Sequence, residues 1–204
     1  MNKTLSLTAA LLFATLPVQA QRMGSVNNDA PQCASSITFK DKASIKIEYQ
    51  ANAWAKGKTM TAAADKEKGG RARNMINQTA EQQPLGTFEV SADITIGDKT
   101  VAAGKYSLYF TIDDNANWNM NLAPQSGDKI VVALKLEESK EEHKRVCIQL
   151  HAGENSKSAD LEIAFGNKHC SMTVAKSAGS AKDAGHEKGA GHDKGAEAGE
   201  GKKK

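Results

Sequence analysis

Residues 87–112 read TFEVSADITIGDKTVAAGKYSLYFTI, and this stretch decides the fold class. Phe88, Val90, Ala92, Ile94 and Ile96 place an apolar side chain at every second position, with Glu89, Ser91, Asp93 and Thr95 between them. Successive strand side chains point to opposite faces, so the pattern describes one dry face and one wet face. Gly97-Asp98 interrupts it as a turn does. Beyond the short segment 100–103 and Gly104-Lys105, alternation resumes at Tyr106, Leu108, Phe110 and Ile112, and Asp113-Asp114-Asn115 closes it. Apolar spacing of three and four, which a helix needs, is missing from both halves. The stretch predicts two strands joined by turns.

The same period extends outward. Ile37, Phe39, Ile45, Ile47 and Tyr49 alternate before it. After it come Trp118, Met120 and Leu122, then Ile130, Val132, Leu134 and Leu136, which lead into a charged run at 137–145. Val146, Ile148 and Leu150 follow, then Leu161, Ile163 and Phe165, a turn at Gly166-Asn167, and finally Met172 and Val174. About eight short strands with turn signals between them predict an all-β fold, an antiparallel β-sandwich over residues 36–175. Residues 51–86 are poor in large apolar side chains and predict a long loop or a short helical insert, at 62–68 or 72–82.

The ends differ from this body. Lys3 precedes a mostly apolar run at 5–16, and Pro17-Val18-Gln19-Ala20 ends it with small residues, a secretory signal pattern with cleavage after Ala20. The run is shorter than the roughly 20 residues a membrane span takes. A periplasmic or secreted protein is the expectation, with a flexible arm at 21–35. From 176 to 204 the chain is Gly, Ala, Lys, His and acidic residues, with AGHEKG at 184–189 repeated as AGHDKG at 190–195. Such a segment buries too little area to offset chain entropy, so a disordered tail is expected.

Of 27 Lys and Arg, Lys3 and seven tail lysines lie outside residues 21–175, and of 24 Asp and Glu five do, which leaves that body neutral. Nucleic-acid binding, which needs clustered cations, is excluded on this ground. The three cysteines, Cys33, Cys147 and Cys170, allow one disulfide in an exported chain. Cys147–Cys170 is one pairing, a bond involving Cys33 a second, and three free thiols a third. The alternation puts Cys147 opposite the dry face of its strand and Cys170 on the dry face of its own, which opposes the first.

Residues 101–112, VAAGKYSLYFTI, resemble the LPAGTYSLFTIP core of an exported bacterial family catalogued as domain of unknown function 2911. Asp93 falls where that family has an aspartate opening the same strand, and Trp118 and Asn121 match its EWTVILN strand. Ile45-Lys46-Ile47-Glu48-Tyr49, with Lys56-Gly57-Lys58 further on, is similar to its ITIEYSRP…KGR. The resemblance implies a β-sandwich with no assigned reaction. Where the family carries WRTGANEAT, residues 78–86 read QTAEQQPLG, without its tryptophan, arginine and asparagine.

No reactive constellation stands out. His143, Cys147 and His151 are spaced by four, about 13 Å along a strand, too far to share one ion. His169 and Cys170 point to opposite faces. His186 and His192, each beside an acidic residue, could hold a cation loosely in the tail. No G-x-S-x-G occurs, and Ser107 lies mid-strand. Gly69-Gly70-Arg71-Ala72-Arg73 lacks the strand and helix of a phosphate loop. Candidate ligand-binding residues are Arg71, Arg73, Tyr109 and Asp113. The expected function is a non-catalytic binding or interaction module for an envelope protein or small ligand, needing no cofactor and contacting through the loops around 51–86. The alternatives are a hydrolase-like envelope enzyme with a loop-borne site and a metal buffer acting through the tail.

Overall fold

The computed structural model describes residues 29–54 and 58–177, with side chains described from residue 61 in the second segment. The signal segment, the two tail histidines and all but the first two residues of the expected tail lie outside the described residues.

Ten strands and two helices are formed among the described residues. β1 (Gln32–Thr38), β2 (Ser44–Gln50), β3 (Gly86–Val90), β6 (Gly104–Ile112), β7 (Trp118–Pro124) and β8 (Ile130–Ala133) make a six-stranded sheet in that order. β5 (Lys99–Val101), β4 (Ile94–Ile96), β10 (Ser158–Lys176) and β9 (Glu137–Ala152) make a four-stranded one. Every pairing is antiparallel. The two sheets pack face to face around one core. Ile45, Ile47, Phe88, Leu108, Met120 and Leu122 meet Ile94, Ile96, Ile148, Leu161, Ile163 and Phe165, all 0–1% exposed. Each such side chain contributes about 1.5–3 kcal/mol on leaving water.

The sandwich forms as expected, but several boundaries differ. β1 opens at Gln32, inside the segment read as an arm. Residues 88–96 are two strands, not one. The chain leaves the six-stranded sheet after Val90 and enters the opposite sheet at Ile94. Both halves face the same core, so the apolar alternation passes through the crossing unbroken. Asp93 secures the crossing by accepting from the Ala103 N–H at 2.8 Å. The segment 99–101 is itself a strand, β5, paired with β4 through the two-residue turn Gly97-Asp98, where Gly97 takes φ +58°.

The charged run 137–145 belongs to β9, and 158–176 is one long strand. Gly166, expected in a turn, instead makes a bulge in β10 at φ +55°, with register shifts on both sides. The inward set accordingly changes from Leu161, Ile163 and Phe165 to Cys170, Met172 and Val174. A one-residue insertion in a period of two moves every later side chain to the other face.

The outer edge of β9 is closed over residues 146–150 by groups from β1, β2 and the segment after β2. The Val146 N–H donates to the Asn52 carbonyl, the Ile148 N–H to the Tyr49 hydroxyl and the Leu150 N–H to the Ser35 hydroxyl, each at 2.9 Å. An edge so occupied cannot template a further strand. Burial pushes the Tyr49 phenol up from 10.0 to about 12. A folded value above the unfolded one gives stability that is complete below about pH 10 and lost as pH rises toward about 12. Tyr49→Phe is expected to cost about 1–3 kcal/mol by stranding the Ile148 N–H. It should also make the loss of stability above about pH 10 shallower. Urea midpoints of the two proteins across that pH range check both.

The insert is helical: α1 spans Lys58–Ala64 and α2 Gly70–Gln82. The 72–82 alternative lies within α2, while the 62–68 alternative starts late and overruns α1. No described helix is long and apolar enough to cross a membrane.

Candidate ligand-binding cleft

α2 is fixed to the sandwich by polar groups as much as by packing. Asn77 accepts from the Ile112 N–H at 2.8 Å and donates to the Ile112 carbonyl at 2.9 Å, so it mimics a neighbouring strand. Ile76 and Ala63 bury against Ile112. The Tyr109 hydroxyl donates to Glu81 at 3.4 Å, and the Lys129 ammonium sits 5.9 Å from the Tyr109 ring. Tyr109, read as facing solvent from β6, is thus 2% exposed.

Arg73 is 4% exposed and holds the helical insert together. Its guanidinium donates to the carbonyls of Ala63 at 3.1 Å, Asp65 at 2.6 Å, Lys66 at 3.2 Å and Asp114 at 3.1 Å. These carbonyls belong to α1, the link after it and the β6–β7 turn. Gly69 lets them converge: a Cβ there would meet the Asp65 carbonyl at 2.3 Å and the Arg73 guanidinium at 2.6 Å. Gly69-Gly70 therefore starts a helix in tight contact. Asp113 is likewise committed. Its carboxylate accepts from the Asn117 and Asn115 N–H groups at 2.8 and 2.9 Å and from the Asn117 amide at 3.0 Å. The Asn117 backbone bond is the main reason its carboxyl titrates below the ordinary range. Arg71 is exposed on α2. Of the four candidate binding residues, Arg73 and Asp113 lie near each other as struts, Tyr109 is covered, and Arg71 is exposed.

What these struts frame is a cleft of about 410 Å³ at one end of the sandwich. Its walls come from α1 and the following link (Ala63, Ala64, Lys66), the turn 115–117, Leu134 and Leu136 between β8 and β9, and the Gly166 bulge with Asn167 and Lys168. Such a volume suits a small organic ligand. The floor is aromatic. Trp118 is half-buried and lies 4.8 Å from Phe165 and 5.8 Å from Trp54, measured between ring centroids. Trp54 in turn meets Phe110 and Phe165 edge-on, both at 5.5 Å. Phe165 is 0% exposed, so it supports the floor and Trp118 is the ring a ligand would touch. The rim is polar. Asn115 supplies an amide and Lys66 an ammonium group, while Asn167 and Lys168 are both bound to Glu138 and the Asn117 amide to Asp113.

Alternation gives Trp118 the same face as Met120 and Leu122. Those two are fully buried, while Trp118, at the start of β7, is only partly covered. Trp54 was missed, because nothing around it in the sequence alternates.

Among the described residues, no three His, Cys, Asp or Glu side chains gather as metal ligands would. His151 pairs with Glu162 at 3.1 Å on the exposed face of β9 and β10. All three cysteines are free, and Cys147 sits across from Ala164, not Cys170, so the Cys147–Cys170 bridge is not formed.

A family model described as protein of unknown function (DUF2911) matches residues 31–175. No curated protein matches the chain, and no solved structure does.

Proposed function

The chain belongs to the DUF2911 family, proteins of unknown function, and we propose that it is a non-catalytic binding module whose cleft takes a small amphipathic ligand. The observation that carries this reading is the half-buried Trp118, backed by Phe165 and Trp54 at the bottom of a cavity of about 410 Å³. An aromatic floor offers a flat apolar surface, and the Asn115 amide and Lys66 ammonium of the rim suit an anionic or carbonyl-bearing end. The lining itself carries no carboxylate, imidazole or thiol, and the carboxylates of Glu138 and Asp113 beside it are bound to Lys168, Asn167 and Asn117. We place this module outside the cytoplasm, on the strength of the signal pattern at 1–20.

A thermal-shift screen of apolar carboxylates against their neutral amides tests the binding reading. The acids should raise the melting temperature of the native protein in a dose-dependent way, the amides less, and neither should act on Trp118→Ala. Equal shifts in both proteins would place binding elsewhere.

A further inference from the structure

The seam between β1 and β9 brings two cysteines to one hydroxyl. Cys33 on β1 is the Cα partner of Tyr49 on β2, so their side chains share a face. Tyr49 reaches past β1 to accept the Ile148 N–H at 2.9 Å, and Cys147 is the residue before. One step along the same seam, Ser35 accepts from Leu150. The two strands thus run level, with Cys33 beside the 147–148 segment. Both thiols lie near enough to the Tyr49 hydroxyl to influence its titration. Both cysteines are partly exposed, so a soluble reagent can reach them, whereas Cys170 is buried.

We propose that Cys33 and Cys147 form a reversible disulfide site that bolts the edge of the six-stranded sheet to the edge of the four-stranded one. The oxidant is another disulfide. The Cys33 thiolate attacks one of its sulfurs and releases the first thiol. The Cys147 thiolate then attacks the mixed disulfide at Cys33 and releases the second. Two protein thiols are oxidised and one disulfide is reduced to two thiols, with two protons passing to the departing sulfurs. Burial raises the Cys147 thiol, so it yields its thiolate sparingly, and it enters in the second step, where the sulfur it attacks is already held beside it. The bond would enclose most of the domain in one covalent loop and lock the seam that the Tyr49 and Ser35 hydroxyls now hold. Val146 bonds Asn52 on this seam, so the bolt also steadies the backbone leading to Trp54.

The test is oxidation of the native reduced protein with oxidised glutathione, then alkylation in denaturant without reduction and peptide mass spectrometry. The count of alkylated cysteines should fall from three to one, with a Cys33 peptide joined to a Cys147 peptide and Cys170 alkylated. Cys170→Ser should form the same linkage and keep no alkylated cysteine. Cys33→Ser and Cys147→Ser should each lose it. A linkage to Cys170, separate glutathione adducts on Cys33 and Cys147, or full alkylation of both would overturn the proposal. The wild-type map alone decides this, so a variant that folds poorly does not blur the outcome.

Discussion

Phe165→Ala is expected to lower the unfolding free energy by about 3–5 kcal/mol. Phe165 is 0% exposed and packs against both Trp54 and Trp118. Removing the ring takes away its own burial and opens a cavity beneath the floor of the cleft. The aromatic contacts, each about 0.5–1.5 kcal/mol beyond area burial, are lost with it. Gly166 follows immediately, with its φ of +55° and the Trp54 carbonyl 3.6 Å from where a Cβ would stand. Urea unfolding of the two proteins measures the loss, and a shift in tryptophan emission should accompany it. Both tryptophans of the chain, Trp54 and Trp118, contact Phe165.

The second large effect is expected at Arg73. Arg73→Leu should cost about 3 kcal/mol or more, because four buried or part-buried carbonyls lose a charged donor together. Arg73→Lys should recover only part of this, since an ammonium is a point charge and cannot present the planar fork that spans carbonyls of three segments. The damage should be local. Hydrogen exchange should quicken at residues 61–66 and 113–117 while the paired centre of β6 and β7 stays protected. A uniform loss of protection across the sandwich would show that Arg73 supports the whole fold and not the cleft wall.

The sandwich was legible because its dry faces follow a period of two from Ile37 to Val174. The places that misled are those where the period says nothing about connectivity. Phe88 to Ile96 keeps its parity across a change of sheet, since a single core receives side chains from both layers. Gly166 resembles a turn residue in sequence, and its action as a bulge shows only in the parity change between Phe165 and Cys170. The cleft was less legible. Arg73 is charged and reads as a surface residue until the carbonyls around it are seen. Tyr109 lies on the wet side of its own strand, and only the long-range cover of α2 makes that side dry. Trp54 is the one large apolar side chain in the run 51–56, and its place against Phe110 and Phe165 depends on β6 and β10 meeting it. Trp118 carried the right clue, an aromatic on an apolar face, but strand parity cannot separate the end of a core from the floor of a cleft.

The most direct measurement is a titration with anilinonaphthalene sulfonate, an apolar anion whose emission rises out of water. The cleft should bind one molecule per native chain in a saturable curve, quench the tryptophans as it does so, and lose the dye when Trp118 is replaced by alanine in a protein that still unfolds cooperatively. A curve that fails to saturate, or one that Trp118→Ala leaves unchanged, would contradict the assignment of this cleft as the binding site.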